Sequence, residues 1–192
     1  SQQATLSELT RSINALEQAE QARDSVQKTQ SDARGIVTSA LAAHFGTLEN
    51  GPGERMMTLR LAPAAGFDLA QAHALEQELT TSLEALQMQV LVVPPLRALP
   101  PVPVEPDGKL DAAAAQMLDI QAWALLRWQV AAIDCVGFSR NSEEAKRQAD
   151  AVAAILRRHG VVVGEVRAAD GADRRAAPSP DADTVWLRLP AK

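Results

Sequence analysis

The stretch Val136-Gly137-Phe138-Ser139-Arg140-Asn141, followed at once by the run Ser142 to Leu156, decides how this chain is read. Before it, Val130 to Val136 alternates as a β-strand does when one face is buried. After it, Glu143 to His159 places apolar residues at helical spacing. Gly160 stands where a helix commonly ends in a left-handed residue. Val161 to Val166 reads as a second strand with Gly164 inside it. Ala168 to Asp183 is a polar loop holding Arg174-Arg175, and Thr184 to Leu189 alternates as a closing strand.

Working outward, Leu110 to Trp128 predicts an amphipathic helix, with Ala114, Met117, Leu118, Trp123, Leu125 and Leu126 available for burial. Leu96 to Asp107 carries Pro100, Pro101, Pro103 and Pro106, so it reads as an extended connector. Upstream of that lie a strand from Met56 to Leu61, a helix from Asp68 to Leu86 and a strand from Met88 to Val93, stopped by Pro94-Pro95. Strands alternating with helices of this length imply an α/β (α+β sandwich) class, with a mixed sheet and its helices on one face.

The N-terminal segment, Thr5 to Phe45, contains no proline and only Gly35. Leu6, Leu9, Ile13 and Leu16 follow 3,4,3 spacing. After a slip, Ala19, Ala22, Val26, Thr29, Ala33, Ile36 and Ala40 continue it. One long helix is expected, either packed on its own domain or standing out as a stalk or dimerising element. Glu49-Asn50-Gly51-Pro52-Gly53 is rich in turn formers and is read as the break after it. The expected division is therefore 1–48 for the helix and 54–192 for the α/β part. Within the latter fall a βαβ portion at 54–95, a connector at 94–107 and a core at 107–192. The βαβ portion either joins one enlarged sheet or forms a module of its own.

Composition excludes several functions. Aromatic residues are only 3%, with no tyrosine, which leaves little to stack on a base or sugar ring. A formal net charge of −5 supplies no concentrated basic surface for nucleic acid. Cys135 is the only cysteine and falls beside a strand, so a buried structural thiol is expected and no internal disulfide can form. His44, His73 and His159 lie in or at the ends of predicted helices, and no glycine-framed serine stands among the strands. No metal-ligand pair has zinc-site spacing, and Glu143 and Glu144 are adjacent and therefore splayed. No catalytic constellation, metal or cofactor is expected. The longest apolar run is too short to cross a bilayer, and no basic-then-apolar leader follows Ser1.

From about Asp107 to Leu189 the chain resembles the OmpA C-terminal family, the peptidoglycan-binding domains also found in MotB-type proteins. Gly137-Phe138-Ser139-Arg140 sits at the family's strand-end turn. Asn141, Ala149, Val152 and Leu156 fall on its helix positions, His159-Gly160-Val161 matches the helix exit, and Val185-Trp186-Leu187-Arg188-Leu189 matches the last strand. The resemblance implies a ligand region comprising Gly137, Phe138, Ser139, Arg140, Asn141, Arg147 and Gln148. In the family, an aspartate in the turn and an arginine on the helix grip the diaminopimelate group of the peptidoglycan stem through charge-assisted hydrogen bonds.

The departures carry more chemistry than the matches. Arg140 occupies the aspartate position and would repel the ammonium that the aspartate attracts. Gln148 occupies the arginine position, and Arg147, one residue away, is turned from it by about 100°. Glu144 and Ala145 replace a leucine and a serine, and the turn is shortened. The expected function is a non-enzymatic, periplasmic cell-envelope scaffold, within a secretion, motility or wall-linked assembly, that has lost standard diaminopimelate binding. Envelope proteins are the expected partners, with peptidoglycan a further candidate and self-association through the N-terminal helix. A membrane anchor, if one exists, lies outside these residues. The alternatives are a wall anchor with contacts moved to Arg140, Arg147 or Arg174-Arg175, and a cytosolic adaptor.

Overall fold

A computed structural model of the 192-residue chain describes residues 2–41, 45–177 and 183–190. The chain is mixed α and β, with a long N-terminal helix and two small sheets. It forms two units, 1–65 with 74–92, and 66–73 with 93–192.

In the first unit, helix α1 runs Gln2–Ala40. Its residues 2–25 are exposed on every side, and only Ala33 and Val37, one turn apart, are buried. Strand β1 (Gly46–Asn50) pairs antiparallel with β2 (Met56–Leu61), from Gly46 opposite Leu61 to Asn50 opposite Met57. The turn at 51–53, read from the sequence as the break after the helix, instead joins these two strands. Its hairpin is closed by Gly51 N–H donating to the Met56 carbonyl at 2.7 Å. The expected helix to Phe45 thus stops at Ala40. Gly46 shows why a glycine opens β1, since a Cβ there would lie 2.3 Å from the carbonyl oxygen of Arg60.

Helix α2 (Leu69–Leu83) leads to β3 (Gln89–Val93), which completes a sheet of order β1-β2-β3. Asp68 caps α2 by accepting from Gln71 N–H at 2.7 Å, and Gln71 Oε1 accepts from Asp68 N–H in return. Met57, Leu59 and Leu61 of β2 alternate into the interior, as do Val90 and Val92 of β3. Leu75, Leu79 and Leu83 form the buried stripe of α2. Glu76 accepts the Val92 backbone N–H at 2.8 Å.

The second unit holds β4 (Val102–Pro103), α3 (Ala112–Arg127), β5 (Ile133–Phe138), α4 (Ser142–Arg158), β6 (Val163–Ala168), α5 (Gly171–Ala176) and β7 (Thr184–Arg188). The sheet order is β4-β7-β5-β6. β5 and β6 are parallel and joined through α4, while β7 runs antiparallel to both β5 and β4. One extra residue in β6 makes a bulge, because Ile133 faces Val163 but Cys135 faces Val166. β4 lies inside the proline connector, and its place at the sheet edge is where a strand tolerates Pro103.

Ile133, Cys135, Val185 and Leu187 point to one face of this sheet. There they share a core with Leu118 and Leu125 of α3 and Val152 and Leu156 of α4. By the two-residue period, Val136, Phe138, Trp186, Arg188 and Arg167 occupy the other face. The expectation of helices on one face is met by α3 and α4 only. The short helix α5, which the polar sequence presents as loop, reaches the opposite face through Asp173. Of the two arrangements open for the βαβ portion, the separate one is found, since β1-β2-β3 and β4-β7-β5-β6 are distinct sheets.

Candidate functional site

The site is built where β5 hands over to α4. Gly137 and Phe138, read from the sequence as turn residues, belong to the strand. Gly137 is there for closeness: a Cβ at this position would meet the Ala145 carbonyl oxygen at 2.0 Å. The first turns of α4 therefore rest directly on the strand backbone. Phe138 is buried and meets Trp186, with ring centroids 5.4 Å apart. It packs the sheet and offers no face to a ligand.

The turn proper is Ser139-Arg140-Asn141. Asn141 caps α4, its side-chain oxygen accepting from Glu143 N–H at 2.8 Å. Ser139 is buried, and its hydroxyl donates to Glu144 Oε2 at 3.3 Å. Its carbonyl accepts from Arg174 Nη2 at 2.8 Å, so α5 clamps the turn from the other end of the unit's sequence. Arg140 and Arg147 are exposed and have no hydrogen bond or ion pair among the described residues.

Gln148 is fully buried on α4, together with Ala145, Ala149 and Val152. Its Nε2 donates to the Glu105 carbonyl at 3.2 Å and to Asp183 Oδ2 at 2.9 Å. Its Oε1 has no partner among the described residues. Position 148 therefore carries a neutral amide tied into its own unit, while Arg147 points to solvent. Of the seven residues singled out in the sequence, Gly137, Phe138 and Gln148 are interior. Ser139 and Asn141 shape the turn, and only Arg140 and Arg147 remain available.

Asp173, with Arg167, Arg188 and Asp170 around it, holds this arrangement and was not among the candidate site residues. Asp173 is 5% exposed and binds Arg167 through both oxygens, while Arg188 Nη1 reaches its Oδ1 at 2.5 Å. Asp170 and Asp173 form a capping box, each side chain accepting the other's backbone N–H at 2.8 Å. The Arg167 hydrogen bonds, working against burial and helped by Asp170, hold the Asp173 carboxyl well below the usual carboxylate range. The Asp-x-x-Asp spacing was the one available sign of this helix start.

Cys135 is buried, and desolvation pushes its thiol up to about 12. His159 bonds Asp119 at 2.9 Å on the surface, and His73 meets Trp123 edge-on with centroids 5.0 Å apart. His44 lies outside the described residues. Among the described residues no three His, Cys, Asp or Glu side chains gather as metal ligands, and no helix is long and apolar enough to cross a membrane. Two grooves of about 560 and 580 Å3 open in the second unit, lined around Trp128 and Trp186 and around Met117 and Gln121. Neither is lined by Arg140 or Arg147.

No protein-family model, no curated protein and no solved structure matches this chain.

Proposed function

We propose that the chain is a non-enzymatic scaffold of the cell envelope, located in the periplasm. Its second unit is an OmpA-like domain whose diaminopimelate grip has been replaced. The helix–strand–turn–helix–strand–short helix–strand order from α3 to β7, with the glycine at the strand end and Asn141 as helix cap, supports the family reading. The observation that carries the functional part is the burial of Gln148. A neutral amide, bonded to Glu105 and Asp183, stands where an arginine would have to reach a ligand carboxylate. Arg140, opposite in charge to the family's aspartate, is exposed and unpaired among the described residues. It presents a cation to an acidic side chain of a partner protein. The α1 helix, exposed along residues 2–25, serves as a stalk and self-association element.

Fractionation of cells producing the full-length protein tests this. Recovery with the envelope is expected, and Arg140→Glu combined with Arg147→Glu should release the protein from it without lowering its melting temperature. Recovery in the cytosol would favour an adaptor role instead.

A second reading keeps wall binding with displaced contacts. Arg174, held at the Ser139 carbonyl beside Arg140, favours it by gathering arginines at the turn. Under that reading Arg140→Ala weakens muropeptide binding measurably, and an unchanged affinity removes it.

A further inference from the structure

We propose that α1 pairs with α1 of a second copy in antiparallel orientation. In that pairing Leu6 and Leu9 of one chain lie against Leu16 and Ile13 of the other. This inference deepens, and rests on, the self-association part of the function proposed above.

The first reason is exposure. Leu6, Leu9, Ile13 and Leu16 are 63%, 59%, 47% and 65% exposed, although they line one stripe of the helix. Every residue from 2 to 25 is exposed. A helix standing alone in water is marginal, so this stretch draws its stability from burying that stripe. Thr10 and Ser12 flank the stripe, and their hydroxyls donate to the Leu6 and Glu8 carbonyls at 2.8 and 3.0 Å. Their polar groups are thus already satisfied, and covering them leaves no hydrogen bond unmade.

The second reason is charge, which selects both occupant and orientation. In heptad terms Leu6 and Ile13 take position a, and Leu9 and Leu16 take position d. The same seam then continues into Glu20 and Arg23, followed by Gln27 and Gln30. A parallel in-register pair stacks Glu20 on Glu20 and Arg23 on Arg23, two like-charge layers in succession. Ala19, Ala22 and Val26 lie off this seam, and recruiting them needs an overwound stammer. An antiparallel pair centred near Arg11 matches all four apolar layers. It sets Glu20 opposite Gln2, leaves Arg23 beyond the overlap, and places Ser12 against Ser12 and Thr10 against Thr10 at the flanks. The stripe is therefore complementary to its own reverse, and no charge of the second copy opposes it.

The overlap spans about 28 Å at 1.5 Å per residue and holds four apolar layers, short of the roughly three to four heptads of a sustained coiled coil. The association is accordingly weak and concentration-dependent.

Cysteine cross-linking tests the orientation, because the sole native thiol is buried. Leu9→Cys chains mixed with Ile13→Cys chains should oxidise to the mixed dimer, while each variant alone cross-links poorly to itself. Sedimentation from micromolar to millimolar concentration should show dimers that Leu9→Glu with Ile13→Glu weakens at least tenfold. Efficient cross-linking of each variant to itself would overturn the antiparallel arrangement and leave self-association standing. A monomer throughout, with no cross-link of either kind, would overturn both, as would binding of the helix only to lipid vesicles.

Discussion

Gly137 lies so close beneath α4 that a methyl group on it would sit 2.0 Å from the carbonyl oxygen of Ala145. The neighbour is helix backbone, which cannot turn aside as a side chain can. Gly137→Ala is expected to destabilise the protein by about 3 kcal/mol or more. Gly160→Ala makes an informative comparison, because that glycine has open space around it but a φ of 86°. Its loss should be smaller, about 1–2 kcal/mol from backbone strain alone. Chemical denaturation of the two variants measures the difference directly.

Asp173 joins α5 to β6 and β7 through Arg167 and Arg188. Asp173→Asn removes the charge both guanidiniums meet, and a loss of about 2–3 kcal/mol is expected. The pH dependence follows from the depressed carboxyl. Its folded value lies below the ordinary 3.8, so its stabilisation is fully present above that value and is lost progressively as pH falls below it. The gap between native protein and Asp173→Asn should therefore be constant from neutral pH down to about 4 and shrink at lower pH. Melting curves across that range check both size and direction.

Cys135 behaves in the opposite sense. Desolvation raises its thiol from 9.0 to about 12, which lowers the thiolate fraction on the order of a thousandfold near neutral pH. Iodoacetamide should leave the folded protein unmodified at pH 8 over a time that labels the unfolded chain completely. Because the folded value is raised, the stabilisation linked to this group is present below pH 9 and fades as pH climbs toward 12. Cys135→Ala should remove that alkaline slope.

Elements with strong local signals are legible in the sequence. Met56–Leu61 alternates into the interior over its whole length, and Gly160 ends α4 with positive φ as its position implies. The elements that escaped are those formed by tertiary pairing. Gly46-Thr47-Leu48-Glu49-Asn50 has one large apolar residue, and becomes a strand through its ladder with β2. Val102-Pro103 is a strand only because β7 runs beside it. Gly171–Ala176 is too short and polar to show an apolar stripe, and is fixed by Asp173 and its two arginines. At the site, the cation at Arg140 and the neutral amide at Gln148 are legible in the sequence. The burial of Gln148 against Glu105 and Asp183 is not, since its partners lie 43 and 35 residues away.

Co-sedimentation of the protein with purified diaminopimelate-type sacculi, with and without free meso-diaminopimelate, tests the proposed loss of the diaminopimelate grip. With Gln148 buried and neutral, and the cationic Arg140 exposed at the turn, no diaminopimelate-sensitive retention is expected. Strong retention that free diaminopimelate releases would contradict the account.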